Sequence, residues 1–435
     1  MTKKEAMYKM FLLDENEHKL NGFTLHTVKT DKFKTNTIVL RMKAPLEEEY
    51  VTQRALLPYV LQSETPSYPS TTSLRSYLDE LYGAVLYVDL AKKGEHHIIT
   101  FFVEIANELF LKDQTPLLDK AITLLKEIVL SPVTENGAFK STVVEKEKRS
   151  LKQRIQAVYD DKMRYSNLRL VEEMCKDEPY HLHVNGRIED LDSISAESLY
   201  TYYQKALAED EIDLYIIGNI EPEKVKEVVS STFTFSERNT RPEIETKTKQ
   251  VETVNEVIEN QDVKQGKLNI GYRTNTTFSD PDYDALQVFN GIYGGFSHSK
   301  LFINVREKES LAYYAASRVE SHKGLLMVMS GIDVNNYDRA VTIIKEQMKA
   351  MIDGDFTEEI LAQTKAVIRN QLLETIDTSR GIAEVLYHNV ISQKSRRLED
   401  WIAGIEAVTK EQVVNVAKKV ELDTIYFLTG LEGRS

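Results

Sequence analysis

The feature that most constrains this chain is that it repeats itself. The stretches "LLDKAITLLKEIV" from Leu117 and "NYDRAVTIIKEQM" from Asn336 place apolar residues at i, i+3, i+4 and i+7 and align Asp119 with Asp338, which predicts the same amphipathic helix twice. Upstream, the alternating strand "NTIVLRMKAP" is matched by "KLNIGYRTN", each followed by a helical segment with Ala55 in one copy and Ala285 in the other. The apolar strand "GEHHIITFFVEI" is matched by "SHKGLLMVMSGI", both entered through a polar turn with histidine and glycine. Downstream, "SISAESLYTYYQKAL" and "DLYIIGNI" are matched by "AVTKEQVVNVAKKV" and "TIYFLTGL", with Gly218 aligned to Gly430. Ser195 and Thr409 read as helix N-caps, Thr409 with Gln412 in capping-box spacing, and Thr115 and Pro116 as cap and first helical residue. The offset falls from 230 through 219 to 212, so the first copy has the longer loops. Such a chain folds as two α+β halves of about 220 residues on one plan, each mixing antiparallel strands with long helices.

At 435 residues the chain exceeds one hydrophobic core. Between the copies runs a Glu-, Lys- and Thr-rich stretch without a helical apolar stripe, which reads as a linker over 236–265 separating halves at 1–235 and 266–435. The net charge of −13 repels a phosphate backbone and anionic lipid, so neither nucleic acid nor a membrane is expected as partner. The single cysteine, Cys175, excludes an intrachain disulfide and a zinc cluster of thiolates, and suits a reducing compartment. The opening residues offer only "MFLL" between charges, too short for a signal peptide or a membrane span, so the expected location is cytoplasmic.

Specific segments carry a resemblance. "GGFSHSKLFINVREKESLAYY" resembles the part of the pitrilysin/insulinase superfamily of zinc peptidases, which contains the mitochondrial processing peptidases, where an arginine is followed seven residues later by a tyrosine. Here these are Arg306 and Tyr313. "VVEKEKRSLKQRIQAVYDD" is similar to the helix beyond that family's active site, and "DEPYHLHVNGRIEDLDSIS" to the loop that follows it. The likeness spans essentially the whole chain. It implies a LuxS/processing-peptidase-like metallohydrolase fold, with two homologous halves of mixed antiparallel sheets and helices enclosing a chamber.

The resemblance also implies where the zinc would sit, and there the chain departs from the family. The family motif is histidine, two residues, glutamate, histidine on one helix: the histidines share a face and hold the metal, and the glutamate acts on the bound water. Aligned on Thr65, these positions are Ala55, Pro58 and Tyr59 within "TQRALLPYVLQSET". A methyl donates no electron pair, a prolyl ring accepts no proton, and a phenol with an ordinary pKa of about 10 is a poor ligand. The remaining ligand, seven residues after the glutamate matching Glu147, is Arg154, whose cation repels a metal. No metal or other cofactor is therefore expected in this chain, with zinc confined to a partner. A mid-helix proline costs about 3 kcal/mol, so the helix is expected to kink or begin at Pro58.

Other constellations read as structural. His181 and His183 could face one ion from a strand, but no acidic or thiol partner has the spacing for it. His96 and His97 alternate faces. Gly291, Gly294 and Gly295 lack a phosphate-loop ending and suit helix termination. "NELFLKD" and Trp401 suit core or subunit contact. The expected function is that of an inactive metalloprotease homologue, the substrate-binding subunit of a two-subunit peptidase, in which a zinc-bearing chain is the partner and Arg306 and Tyr313 bind the peptide backbone. A homodimer, a peptide- or protein-binding scaffold without a catalytic partner, and a zinc peptidase with its site moved to His181 and His183 are the alternatives.

Overall fold

The computed structural model describes residues 13–112, 115–235, 238–241 and 249–430. In the first half the elements are β1 (Glu15–Leu20), β2 (Phe23–Lys29), β3 (Thr35–Pro45), α1 (Val51–Ser63), α2 (Thr71–Glu80), β4 (Val85–Lys93), β5 (His96–Ala106), α3 (Leu117–Leu130), the short hairpin β6 and β7 (Thr134–Glu135, Ala138–Phe139), α4 (Ser141–Asp160), α5 (Lys162–Met174), α6 (Ala196–Glu209), β8 (Glu211–Gly218) and α7 (Pro222–Thr232). The second half has β9 (Asn255–Gln261), β10 (Gly266–Arg273), α8 (Tyr283–Asn290), β11 (Ala312–Glu320), β12 (Leu325–Ile332), α9 (Tyr337–Ile352), α10 (Glu358–Thr375), α11 (Ser379–Ser392), α12 (Leu398–Ala407), α13 (Lys410–Ala417) and β13 (Glu421–Gly430).

The sheets repeat one topology. The first runs β1-β2-β8-β3-β5-β4 and the second β11-β12-β10-β13-β9, so β4, β5, β3, β8 and β2 correspond in order to β11, β12, β10, β13 and β9. Even the exception repeats: β2 lies parallel to β8, and β9 parallel to β13, while the other neighbours are antiparallel. The α+β fold expected from the duplication is the observed one.

Strand alternation explains how the halves hold together. In β3 and β5 one set of side chains (Ile38, Leu40, Met42, Ile99, Phe101, Val103) joins the first half's own core with α1 and α3. The opposite set (Val39, Ile98, Phe102) joins the second half's core with Ile382, Val385 and Leu386 of α11. The exchange is reciprocal, since Leu170 and Met174 of α5 pack with Leu325, Met327, Tyr426 and Leu428 on the second sheet. Charged groups buried at this seam are paired: Arg273 donates to Glu178 and, at 2.8 Å, to Asp423, and Lys323 lies between Glu178 (2.6 Å) and Glu95. A sheet covered on one face by its own helices and on the other by a helix of the opposite half needs both copies to complete its core.

Four local expectations are corrected. Helix α1 starts after Tyr50 and runs through Pro58 without a break, because Ala55, Leu56, Leu57, Val60 and Leu61 around it are buried and that packing outweighs the lost hydrogen bond. The stretch read as linker holds β9, whose period was hidden because five of its seven residues are charged or amide and each face keeps a single apolar side chain, Val257 on one and Ile258 on the other, as suits a sheet edge; residues 236–237 and 242–248 of that stretch lie outside the described part. At α3 the N-cap is Pro116 and the helix begins at Leu117. Gly291, Gly294 and Gly295 do not stop α8 but continue it as a π turn to Phe296, and a Cβ on Gly294 would come within 2.5 Å of Ser317 Oγ in β11. The capping boxes at Ser195 and Thr409 are formed.

Candidate functional site

Helix α1 carries Ala55, Pro58 and Tyr59, and α4 carries Glu147 and Arg154; the two helices pack together and bring all five residues to one place. Ala55 is fully buried in the core of the first half. Beside it Arg54 is buried too, donating to Asp210 Oδ2 (2.6 Å), to Tyr202 (3.1 Å) and to the carbonyls of Met42 and His97. One turn on, the Arg154 guanidinium stacks on the ring of Tyr59, 3.5 Å from its centroid. Burial pushes the Tyr59 phenol above its ordinary pKa, with Arg154 acting against it, so the hydroxyl is protonated at neutral pH. Glu147 accepts a 2.8 Å bond from Ser63 Oγ and lies 3.2 Å from Lys146. A zinc ion needs several electron-pair donors converging on one point, and these residues offer a methyl, a prolyl ring, a protonated phenol and a cation; they do not fit the metal.

The second constellation lies on the other sheet. Arg306 sits in a π-helical segment, Phe302–Lys308, with its guanidinium 4.6 Å from the Phe302 ring centroid and 3.8 Å from Glu307. Ser310 follows with φ 52°, and β11 then begins with a register shift between Ala312 and Tyr314 that leaves Tyr313 as the bulged residue of an edge strand. The bulge turns the Tyr313 side chain outward, 74% exposed, while Tyr314 lies against Gly331 on the sheet. A π segment, a left-handed serine and a bulge within twelve residues are costly backbone choices, of the kind that accumulate where side chains must be aimed. Among the described residues no hydrogen bond, ion pair or ring contact joins Arg306 or Tyr313 to the Ala55, Pro58, Tyr59 and Arg154 cluster.

The histidines form no metal group. His181 ends a 3-10 turn (Pro179–His181) and donates from Nδ1 to the Glu178 carbonyl (2.7 Å), and His183 Nδ1 accepts the Asn185 N–H (3.3 Å). The pair is thus on a turn rather than a strand, and burial together with Lys92 lowers the His183 pKa to about 4. Among the described residues no three His, Cys, Asp or Glu side chains are placed to hold an ion. Trp401 is core, donating to Gln287 at 2.6 Å, whereas Leu109 of "NELFLKD" is 68% exposed.

The likeness to known proteins follows the same lines. The sequence model of the family described as "Peptidase M16 inactive domain" matches residues 193–368. A Bacillus subtilis (strain 168) protein named "Probable inactive metalloprotease YmfF" is 58% identical over 98% of this chain and all of its own length. This chain belongs to the M16 peptidase family. It is a homologue of that inactive metalloprotease, and the positions aligned with the zinc motif, Ala55, Pro58, Tyr59 and Arg154, offer no ligand set. Among solved M16-like folds, a conserved Enterococcus faecalis V583 protein superposes with TM-score 0.90 at 33% identity, covering 97% of this chain and 100% of that one. A protease from Helicobacter pylori shares the fold at TM-score 0.81 and 15% identity, covering 96% and 100%. No helix among the described residues is long and apolar enough to cross a membrane.

Proposed function

We propose that this chain is the non-catalytic, substrate-binding subunit of a two-subunit peptidase, working with a homologous chain that carries the zinc. The observation that carries this reading is the contrast between its two constellations. The former metal positions are closed by the Arg154–Tyr59 stack, whereas Tyr313 stands in solvent on a bulged edge strand with Arg306 seven residues before it. A tyrosine hydroxyl and an arginine fork are donors suited to a peptide carbonyl and to the oxyanion that forms from it. Such donors serve chemistry only if another polypeptide brings a metal-bound water to the same carbonyl. Zinc is then the partner's cofactor, and the substrate is an extended peptide held between the two chains.

Mixing the purified chain with a zinc-bearing M16 homologue from the same organism tests this. A stoichiometric complex with peptidase activity that neither chain has alone is the expected result. Failure to associate, together with isolation of the native protein free of any zinc-bearing companion, would favour the scaffold reading instead.

A further inference from the structure

The seam between the halves contains a cleft of about 210 Å³, larger than the ~150 Å³ cavity that accommodates benzene. Its floor is the face of β3, β4 and β5 that meets α11. One wall is apolar and aromatic, with Val39, Ile98 and the stacked rings of Tyr87 and Phe102, whose centroids are 4.7 Å apart. The other wall is ionic, with Arg41, Lys93 and Arg380 facing Glu384 and Asp89.

The donors and acceptors of that ionic wall do not balance. Glu384 is engaged on both oxygens, taking Arg41 Nη2 at 2.7 Å on one and Lys93 on the other. Burial opposes its ionisation, but Lys93 and Arg41 outweigh burial and hold its pKa at about 2. Asp89 takes Arg380 at 3.2 Å and the Leu90 N–H at 2.9 Å. Arg41 is only 5% exposed; its Nη1 donates to the Ala383 carbonyl and its guanidinium lies 4.2 Å from the centre of the Tyr387 ring, while its Nε has no hydrogen-bond partner. A buried guanidinium N–H left without an acceptor is costly. Three cations against two carboxylates, each already engaged on both oxygens, give the lining an excess of one positive charge.

We infer that this cleft binds a carboxylate carried beside an apolar or aromatic group, as at the C-terminal residue of a peptide, with the anion among Arg41, Lys93 and Arg380 and the side chain on Tyr87 and Phe102. Inorganic phosphate fits the charge but leaves the aromatic wall uncovered. The site lies within one polypeptide and needs no zinc-bearing partner, so its fate is independent of the subunit role proposed above.

Calorimetric titration of the full chain tests the assignment. The probes are N-acetylphenylalanine and its amide, a hexapeptide ending in phenylalanine as free acid and as amide, and inorganic phosphate. The free acid is expected to bind about tenfold or more tightly than the amide, the worth of one charge-assisted hydrogen bond in a desolvated site. Arg380→Ala, at the exposed rim, should weaken the acid several-fold, and Ala91→Leu, which fills the cleft without changing its charge, should abolish binding while the melting temperature stays near that of the parent. Binding of both acids assigns free carboxylates as well as chain ends as ligands, and binding of the hexapeptide acid alone restricts the site to chain ends; either supports the inference. Equal affinity for acid and amide, phosphate binding as tightly as the acids, no binding of any acid, or full binding by folded Ala91→Leu overturns it.

Discussion

The guanidinium of Arg154 lies 3.5 Å from the centre of the Tyr59 ring, so two of the four positions that would make a zinc site in this family now hold each other. The atoms Nε and Nη2 of Arg154 are buried without hydrogen-bond partners, and the ring face is what the cation has in their place. Arg154→Ala and Tyr59→Leu should each destabilise the chain by about 1 kcal/mol in urea titrations, and a double-mutant cycle should return a coupling of ~0.5–2 kcal/mol. Strictly additive losses would mean that the stack is incidental.

Zinc binding should be gained only when the four positions are changed as a set. Ala55→His, Pro58→Glu and Tyr59→His together rebuild the helical motif but leave the Arg154 cation against the metal. That triple variant should purify without stoichiometric zinc, and adding Arg154→Glu should bring one zinc per chain by elemental analysis. Equal zinc content in the triple and quadruple variants would show that Arg154 is not what keeps the metal away.

Acid should loosen the seam before carboxylates begin to titrate. His322 Nε2 and His388 Nδ1 are 2.8 Å apart. Burial lowers the His322 pKa to about 2, helped by His388 and Lys93, and that of His388 to about 3, helped by Lys93. A base with a depressed folded pKa contributes stability above its unfolded value, about 6.5, and that stability is lost as pH falls below it. Between pH 7 and 5 the cost approaches about 2 kcal/mol for each ring. His26 works the other way: bonds to Asp213 and Glu15 outweigh its burial and raise it to about 9, so its contribution is complete below pH 6.5 and is lost as pH rises through 9. Urea midpoints should therefore fall from pH 7 to 5, with a shallower fall in His388→Gln; an unchanged slope in that variant would assign the acid sensitivity elsewhere.

The duplication was legible because helices and buried strands write their period into apolar residues, and five pairs of elements kept their order. Strand β9 was not legible. Its sequence, "NEVIENQ", puts one apolar residue on each face and so carries no period-2 signal, and its parallel pairing to β13 marks it as the counterpart of β2. Pro58 misled in the same way, since local propensity argued for a break while the burial that overrides it comes from residues distant in sequence. That a methyl, a prolyl ring, a phenol and a guanidinium are poor zinc donors follows from residue types alone. The stack of Arg154 on Tyr59 does not, because it joins helices separated by 77 residues of intervening chain, from Ser63 to Ser141. The exchange of α5 and α11 between halves and the unmatched Arg41 Nε likewise belong to tertiary placement.

The subunit role is tested most directly by the rate of peptide hydrolysis in an equimolar mixture of this chain with a zinc-bearing M16 homologue from the same organism. The mixture is expected to be active and this chain alone inactive, and Arg306→Ala or Tyr313→Phe in this chain is expected to lower kcat about 10²-fold, the usual loss on removing one oxyanion donor, without dissociating the complex. Metal-dependent hydrolysis by this polypeptide on its own, or a mixture whose rate is unchanged by both substitutions, would contradict it.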